Sequence, residues 1–364
     1  MKIKAAVTRE ANAPFSIEEV ELAAPKADEI LVKIKAAGVC HTDEAGRSGE
    51  LPFAFPVVLG HEGAGTVEAV GSAVTDFAVG DNVCMSFGVC GSCKPCLSGR
   101  PYACEHMFPL NFGGRMPDGT TRLSQNGQEL SCFFAQSSFA TYAVVNQRCA
   151  VKIDKDIDPG LAAPLGCGIQ TGAGCVLNVL KPEFDSSIAV FGIGPVGLSA
   201  IMAANIVGCS KIIAIDKIPS RLALAKELGA THLINGGETD DMAGDLMKLT
   251  GGSGLDYAID TSGSRFLANV ALNTLSYTGK LMLAAGGTSL QLTTGAVLGA
   301  KTVMGVNEGN SIPKVFIPQL LSYYKAGKFP VDKLITFYPF AQINEAYEAS
   351  HQGNTIKAVL RMED

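Results

Sequence analysis

The stretch Ser187–Gly197, SIAVFGIGPVG, contains the strongest indication of the fold. A short apolar strand, 187–191, leads directly into Gly192-Ile193-Gly194-Pro195-Val196-Gly197, and an apolar segment of helical length follows. In such a turn the first glycine permits tight folding, the second lets a pyrophosphate approach the backbone, and the third lets the helix pack close to the strand. The free N–H groups at the start of the helix favour the phosphates. We therefore expect a dinucleotide to bind at Gly192, Gly194, Val196 and Gly197.

The pattern around this turn alternates between strands and helices. Pro219 suits the first turn of a helix over 220–228, and Gly229 suits its C-terminal cap. Alternation of this kind predicts an α/β fold with a doubly wound parallel sheet, the Rossmann arrangement, for which six strands are expected. The predicted strands are 187–191, 211–215, 231–234, 256–260, 280–285 and 301–306.

Asp216 ends the second of these strands and bears on the choice of dinucleotide. A carboxylate at this place accepts hydrogen bonds from the ribose hydroxyls and repels a 2′-phosphate, which favours NAD over NADP. Arg221 lies nearby in the sequence and could tolerate that phosphate, so we include it among the cofactor residues.

Composition narrows the class of protein. The 364 residues exceed what one core usually serves, so two domains are expected. The net charge is −6 and no basic block stands out, which argues against a nucleic-acid partner. The N-terminus MKIKAAVTRE lacks an export signal, and the apolar stretch 188–208 is interrupted by glycine and proline. We expect a cytoplasmic protein without a membrane partner.

Eleven cysteines without an export signal suggest metal binding rather than a disulfide framework. Four of them form C-x2-C-x2-C-x7-C at Cys90, Cys93, Cys96 and Cys104. Four thiolates this close in sequence can complete a tetrahedral shell around a structural zinc ion. An iron–sulfur cluster can use four cysteines too, so this alternative stays open.

A second set of metal-ligating residues is dispersed along residues 1–168. It consists of Cys40-His41-Thr42-Asp43, Gly60-His61-Glu62 and Gly166-Cys167-Gly168. Two cysteines and one histidine are a ligand set of catalytic zinc with one open position, but spacing alone does not join these three segments. We interpret His106, His232 and His351 as structural or surface residues. The other cysteines are expected to be small buried side chains, namely Cys84, Cys132, Cys149, Cys175 and Cys209.

The pattern Gly60-His61-Glu62-x2-Gly65-x5-Gly71-x2-Val74 resembles the signature of zinc-containing medium-chain alcohol dehydrogenases. The resemblance covers essentially the whole chain, in the family's order. Within the family the chain looks most similar to bacterial aryl-alcohol (benzyl alcohol) dehydrogenases, because of residues 40–43 and of the stretch from Glu308-Gly309-Asn310 to Phe329-Pro330.

The resemblance implies roles for individual residues. Cys40, His61 and Cys167 would bind the catalytic zinc, with Glu62 behind it and able to approach the metal during ligand exchange. Asp43 would accept the second ring N–H of His61. Thr42 would hydrogen-bond the substrate hydroxyl, although a threonine here could also cap a helix. His41 would lie near the cofactor pyrophosphate and Lys357 would reach it, unless Lys357 is a solvated surface lysine.

The resemblance also implies an architecture and an activity. A mainly β, GroES-like catalytic domain would span 1–165, with 307–364 returning to it, and a Rossmann NAD-binding domain would span 166–306. Two Zn²⁺ ions per chain and NAD would serve hydride transfer between a primary, benzyl-type alcohol and its aldehyde in a homodimer or homotetramer. Well-known animal members have a proton-relay histidine three residues after the relay hydroxyl, but this chain has Ala45 there.

Several alternatives share this plan. The intact set of Cys40, His61 and Cys167 argues against a zinc-free enoyl or quinone reductase and against a non-enzymatic binding protein on the same scaffold. A general or allylic alcohol dehydrogenase remains open, whereas a glutathione-dependent formaldehyde dehydrogenase needs anion-binding residues that are not obvious here. The chain has no tryptophan, so an aromatic pocket would use rings such as Phe108, Phe112, Phe133 and Phe134.

Overall fold

The computed structural model describes residues 1–294 and 299–362. The chain divides into two compact units. The first comprises Met1–Gly168, Ile312–Leu321 and Val331–Asp364, and the second comprises Ile169–Ser311 and Ser322–Pro330.

The strands and helices of the described residues are numbered in chain order. The strands are β1 (Lys2–Thr8), β2 (Ser16–Leu22), β3 (Glu29–Gly38), β4 (Val57–Val58), β5 (Glu62–Val70), β6 (Asn82–Met85), β7 (Leu123–Gln125), β8 (Gln128–Glu129), β9 (Tyr142–Asn146), β10 (Ala150–Ile153), β11 (Ser187–Phe191), β12 (Lys211–Asp216), β13 (His232–Asn235), β14 (Leu255–Asp260), β15 (Leu275–Leu283), β16 (Thr302–Gly305), β17 (Ile335–Pro339) and β18 (Lys357–Arg361). The helices are α1 (His41–Arg47), α2 (Lys94–Leu97), α3 (Met107–Phe112), α4 (Pro159–Ala162), α5 (Gly168–Gly174), α6 (Pro195–Val207), α7 (Pro219–Glu227), α8 (Met242–Leu249), α9 (Arg265–Asn273), α10 (Pro313–Lys325) and α11 (Ile343–His351).

The first unit is built mainly from strands, as predicted. One sheet has the order β4-β1-β2-β7-β8, and a second has the order β10-β6-β5-β3-β18-β17, with β9 also pairing with β3. β3 is the long central strand of the second sheet, and its side chains Ile30, Val32 and Ile34 enter a large aliphatic and aromatic core. Helices α1 to α4 in this part of the chain have at most seven residues. Short strands and turns therefore predominate over helices in residues 1–168.

The second unit contains a six-stranded parallel sheet. Its strand order is β13-β12-β11-β14-β15-β16, which is the 3-2-1-4-5-6 order of two mononucleotide-binding halves. The predicted doubly wound sheet is thereby confirmed. The apolar stretch 188–208 forms most of β11, the glycine-rich turn and the 13-residue helix α6, which ends at Gly208 in the left-handed conformation.

The predicted strands agree with the observed ones to within one residue at each end, except for β15. β15 begins at Leu275 rather than at 280, because Leu275 pairs with Leu255 before a register shift leads into the regular ladder at Tyr257. A Cβ on Gly279 would lie 2.6 Å from the carbonyl oxygen of Leu255. This glycine permits close backbone approach within the sheet.

Among the described residues, no single helix is both long enough and apolar enough to cross a membrane. Pro159–Gly166 and Gly168–Leu180 reach the required length and composition only as a bent pair.

Candidate active site and metal centres

The glycine-rich turn of the second unit has the geometry that its sequence predicts. Gly192 has a φ of +89°, and a Cβ there would lie 3.0 Å from the amide nitrogen of Ser262. At Gly197 a Cβ would lie only 2.1 Å from the carbonyl oxygen of Gly192, whereas at Gly194 it would meet nothing within 4 Å. Packing thus requires glycine at positions 192 and 197, whereas Gly194 faces open space. Val196 is the second residue of α6, so its N–H is among those without a partner in the helix.

Asp216 stands at the end of β12 beside this turn. Its Oδ2 accepts a hydrogen bond from the N–H of Ile193 at 2.7 Å, and its Oδ1 accepts one from the N–H of Ile218 at 3.0 Å. The guanidinium of Arg221 lies 3.9 Å from Oδ2. The carboxylate and the guanidinium therefore occupy the same edge of the sheet, and their predicted roles toward a ribose stay predictions.

The four cysteines of the C-x2-C-x2-C-x7-C pattern come together. The sulfur atoms of Cys90, Cys93, Cys96 and Cys104 all lie within 4.8 Å of one another. Cys90 Sγ accepts hydrogen bonds from the N–H groups of Ser92 at 3.5 Å and Cys93 at 3.3 Å.

The acidity of these thiols indicates what could fill their centre. Burial raises the pKa of Cys90, but the two N–H donors outweigh it and bring the pKa to about 6. Burial and the neighbouring thiol of Cys93 raise the pKa of Cys96 to about 12. One thiolate thus opposes the ionisation of the next, and a central cation would relieve this repulsion. The four sulfurs fit a closed tetrahedral metal shell, which leaves no position for a substrate.

A second cluster joins residues that the spacing could not join. One ligand atom from each of Cys40, His61, Glu62 and Cys167 lies within 4.8 Å of all the others. Cys40 immediately precedes α1, Glu62 begins β5, and Cys167 follows the short helical turn Ala163–Gly166. All four belong to the first unit.

Asp43 determines how the imidazole of His61 is presented. Asp43 Oδ1 lies 2.9 Å from Nδ1 of His61 and accepts a hydrogen bond from the N–H of Gly60, while Oδ2 accepts one from the N–H of Cys40. A carboxylate at Nδ1 favours the tautomer with the proton on that nitrogen, so that Nε2 carries the lone pair. Within 1–294 and 299–362, Nε2 is buried without a hydrogen-bond partner. A metal ion held jointly with the two sulfurs would satisfy it.

The charges around this cluster are consistent with a cation site. A hydrogen bond from the Cys167 thiol lowers the pKa of Cys40 well below its usual value against the effect of burial, and His61 and Lys357 act in the same direction. Burial lowers the pKa of His61, but Asp43 and Cys40 more than compensate and raise it well above its usual value. A divalent ion would replace the proton that such negative surroundings otherwise retain.

Glu62 and Lys357 form a buried ion pair next to the sulfurs. Lys357 Nζ lies 2.5 Å from Glu62 Oε2 and donates to the carbonyl oxygen of Val39 at 2.9 Å, and its side chain is only 2% exposed. Burial raises the pKa of Glu62 to about 7, although Lys357 lowers it. The alternative that Lys357 is a solvated surface lysine is therefore wrong. Its predicted role toward the cofactor stays a prediction.

The residues between the ligands occupy the first turn of α1. Cys40, not Thr42, is the N-terminal cap residue of this helix, so the alternative role of Thr42 as a cap is wrong. The hydroxyl of Thr42 lies 3.8 Å from Cys40 Sγ. His41 is exposed. Ala45 lies on the same helix and has no group that could accept a proton.

Aromatic rings surround the imidazole of His61. The ring of Phe134 is stacked on it, with centroids 4.5 Å apart and planes inclined by 26°, and Phe133 meets it edge-on at 5.5 Å. Phe112 contacts Phe134, and Phe108 contacts Phe112 and is 57% exposed. The four phenylalanines that the sequence singled out thus form a continuous series from the histidine to the surface.

Comparison with known proteins agrees with this geometry. The sequence profile described as "Alcohol dehydrogenase GroES-like domain" matches residues 26–155, and the one described as "Zinc-binding dehydrogenase" matches residues 195–322. The chain belongs to the zinc-type alcohol dehydrogenase family. The resemblance in the sequence is thereby confirmed, and so is a GroES-like domain joined to a Rossmann-type domain.

Three relatives of this dehydrogenase are similar over their whole length. Geraniol dehydrogenase of Castellaniella defragrans is 43% identical over 98% of this chain and 97% of its own. The solved structure of an alcohol dehydrogenase zinc-binding domain protein from Burkholderia ambifaria is 46% identical, with a TM-score of 0.97 and 100% of both chains covered. The benzyl alcohol dehydrogenase structure from Acinetobacter calcoaceticus is 42% identical, with a TM-score of 0.95 and the same coverage.

The site of this alcohol dehydrogenase includes residues that the sequence did not indicate. Gly38 leaves the space in which the Glu62 carboxylate lies, since a Cβ there would be 2.1 Å from Oε2. Gln136 and Asn111 are buried amides: the side chain of Gln136 donates to the carbonyl oxygens of His61 and Ser86, and that of Asn111 bonds both the N–H and the carbonyl oxygen of Gly88. No local motif marks these three residues, because each acts on a partner distant in the chain.

Proposed function

We propose that this alcohol dehydrogenase interconverts primary, benzyl-type alcohols and their aldehydes with NAD, using a catalytic zinc ion held by Cys40, His61 and Cys167. The support comes from the buried Nε2 of His61, which has no hydrogen-bond partner among the described residues and shares one cluster with two sulfur atoms. Three protein ligands with a fourth position open are typical of catalytic rather than structural zinc.

Zinc in this position supplies a Lewis acid that makes an alcohol proton easier to remove. Asp43 keeps the proton of His61 on Nδ1, and Thr42 receives the hydrogen bond of the substrate hydroxyl. Glu62 stays close enough to approach the metal during ligand exchange, while Lys357 balances its charge. Because Ala45 cannot accept a proton, the proton leaves the site through another group, such as water or His41.

The second unit supplies the cofactor site in this proposal. NAD bound at Gly192, Gly194, Val196 and Gly197 provides the hydride acceptor. Asp216 accepts hydrogen bonds from the adenosine ribose, and Arg221 lies beside it. The first unit would then be the catalytic domain, and the second the NAD-binding domain. His41 would contribute to pyrophosphate binding, and Lys357 would add positive charge from its buried position.

Cys90, Cys93, Cys96 and Cys104 would hold the second, structural zinc ion, so that each chain carries two. The four sulfur atoms would fill every coordination position of this ion, which supports a structural rather than a catalytic role. As the family resemblance implies, we further propose a cytoplasmic homodimer or homotetramer. Light scattering after gel filtration measures the subunit number, and a monomer would contradict that part of the proposal.

The aromatic series supports the substrate class. Phe134, Phe112 and Phe108 provide flat apolar surface that suits an aromatic or unsaturated group beside the reacting carbon. Geraniol and benzyl alcohol, after which two relatives are named, both have an unsaturated carbon next to the carbinol carbon. An allylic alcohol is therefore the main alternative to a benzyl-type one.

The test is an NADH-forming screen of benzyl alcohol, an allylic alcohol and ethanol, combined with the zinc content per chain. We expect two zinc ions and the highest kcat/KM for benzyl alcohol. Preference for ethanol would contradict the aryl-alcohol assignment, and an active preparation without zinc would contradict the mechanism.

Two cysteine variants sharpen this test. Cys40→Ser should lose one zinc ion and its turnover while still binding NAD. Cys84→Ser is the matched control, because Cys84 is fully buried nearby but its thiol donates to the carbonyl oxygen of Ala162 and is not part of the cluster. It should keep both zinc ions. Full activity in Cys40→Ser would show that the assigned ligand is wrong.

A further inference from the structure

The segment 133–137, which we call the aromatic segment, has an unusual backbone. Phe134, Ala135 and Ser137 have φ values of +51°, +49° and +51°. Side chains other than glycine rarely adopt this left-handed conformation, and it persists only where the surroundings dictate it. This segment contacts His61 of the ligand cluster, so the bonds that hold its backbone also affect the surroundings of His61.

The side chain of Gln136 holds the segment against the strands of the site. Its Nε2 donates to the carbonyl oxygens of His61 at 2.9 Å and Ser86 at 3.2 Å, and its Oε1 accepts from the N–H of Gly63 at 3.3 Å. The residue is only 3% exposed. One buried amide thus ties the aromatic segment to both neighbours of Glu62 and to the end of β6.

Hydrogen bonds within and next to the segment complete the arrangement. The N–H groups of Gln136 and Ser137 both donate to the carbonyl oxygen of Phe133 at 3.0 Å, and the N–H of Phe133 donates to Ser137 Oγ at 2.9 Å. The N–H of Phe134 donates to the carbonyl oxygen of Asn111 at 2.9 Å. These hydrogen bonds therefore stabilise the backbone of residues 133–137 in a conformation in which three residues have positive φ values.

These bonds fix the positions of the Phe133 and Phe134 rings against His61. Asp43 holds the imidazole of His61 through Nδ1, while Phe134 stacks on it and Phe133 packs nearly perpendicular to it. A metal-bound histidine depends on such neighbours for its orientation. The same two rings are the part of the aromatic series that lies next to the ligand cluster.

We propose that Gln136 is a positioning residue: by holding Phe133 and Phe134 in their left-handed segment, it orients His61 and selects unsaturated alcohols over small aliphatic ones. The selection rests on the proposed function, whereas the orientation of His61 does not. Gln136 does not touch the reacting atoms in this proposal.

The main test is Gln136→Met, which keeps the length of the side chain but removes all three hydrogen bonds. We expect KM for benzyl alcohol to rise roughly 10-fold, the scale on which pocket contacts discriminate, with kcat and KM for ethanol changed less than about 3-fold. The cobalt-substituted protein should show shifted d–d absorption bands, because the histidine ligand changes its orientation. An unchanged benzyl-to-ethanol ratio together with wild-type bands would overturn the proposal.

The matched control is Asn146→Leu. Asn146 is also a buried amide of the first unit, with bonds to Asp28 and to the N–H of Arg148, but none to the aromatic segment. This variant should lower the stability of the protein without altering the substrate ratio or the cobalt spectrum. If it altered both as Gln136→Met does, a general loss of packing would explain the effect and Gln136 would have no special role.

Two further measurements keep the proposal testable if Gln136→Met does not fold. Gln136→Glu preserves the size and the acceptor toward Gly63 but loses both donors, so the cobalt bands should shift in the same direction. Hydrogen exchange on the wild-type holoenzyme should show the amides of residues 133, 134, 136 and 137 as slow as those of β5. Rapid exchange there would contradict a rigidly held segment. Should the wild type prefer ethanol, the aryl-alcohol assignment fails, while the cobalt spectra still decide the role of Gln136.

Discussion

Gly38→Ala is the substitution for which the structure makes the clearest quantitative prediction. Gly38 ends β3 without a positive φ, so replacement by alanine would ordinarily stabilise the chain by about 0.4–1 kcal/mol through the unfolded state. Here the added Cβ would lie 2.1 Å from Glu62 Oε2, far inside the 3.4 Å at which ordinary contact begins. We therefore expect the opposite sign.

The magnitude follows from what the carboxylate of Glu62 would lose. To move away by more than an ångström it must leave Lys357 Nζ, now at 2.5 Å, and this ammonium has no route to water because it is 2% exposed. Overpacking alone costs about 1–3 kcal/mol, and a broken buried ion pair costs about 3–5 kcal/mol. We expect a loss of about 3 kcal/mol in the free energy of unfolding of the first unit, which for a unit of about 200 residues corresponds to a fall in Tm of roughly 6–12 °C.

The assay is a double-mutant cycle on the zinc-loaded protein, followed by urea unfolding. In the Glu62→Ala background the clashing oxygen is absent, so Gly38→Ala should cost little there. A cost of Gly38→Ala that is the same in both backgrounds, or a stabilisation in the wild-type background, would refute the assigned contact.

The remaining predictions concern the ligands and the cofactor. Asp43→Asn replaces an acceptor by a donor that faces a backbone N–H, so zinc affinity at the catalytic site should fall about 10- to 100-fold in a chelator competition; unchanged affinity would show that the carboxylate does not orient His61. Cys104→Ser should release one zinc ion and make residues 90–104 sensitive to protease, with the catalytic zinc retained; if both ions are lost together, the two sites are not independent. Asp216→Gly removes the carboxylate expected to repel a 2′-phosphate, so the NAD-to-NADP ratio of kcat/KM should fall at least about 10-fold, and an unchanged ratio would argue against its ribose role.

Local features of the sequence were enough to predict the sheet, the glycine-rich turn and the four-cysteine cluster. A strand, a tight turn and a helix are specified by periodicity and by glycines within a few residues of one another. Cys90, Cys93, Cys96 and Cys104 lie so close in the chain that its short reach already brings their sulfurs together. Even here β15 was predicted to begin only at 280, whereas it begins at Leu275, which pairs with Leu255 across a register shift that depends on the partner strand.

The cluster of Cys40, His61, Glu62 and Cys167, by contrast, depends on long-range packing. Cys40, His61 and Cys167 lie in separate segments, and only the family resemblance joined them before the tertiary structure was known. The pairing of Glu62 with Lys357, the need for glycine at position 38 and the bonds of Gln136 had no local signature at all. Turn preferences and the hydrogen bonds within one turn or helix act between near neighbours and can be inferred from a pattern, whereas long-range hydrogen bonds and the filling of space around a buried charge are decided by segments that meet only when the chain has folded.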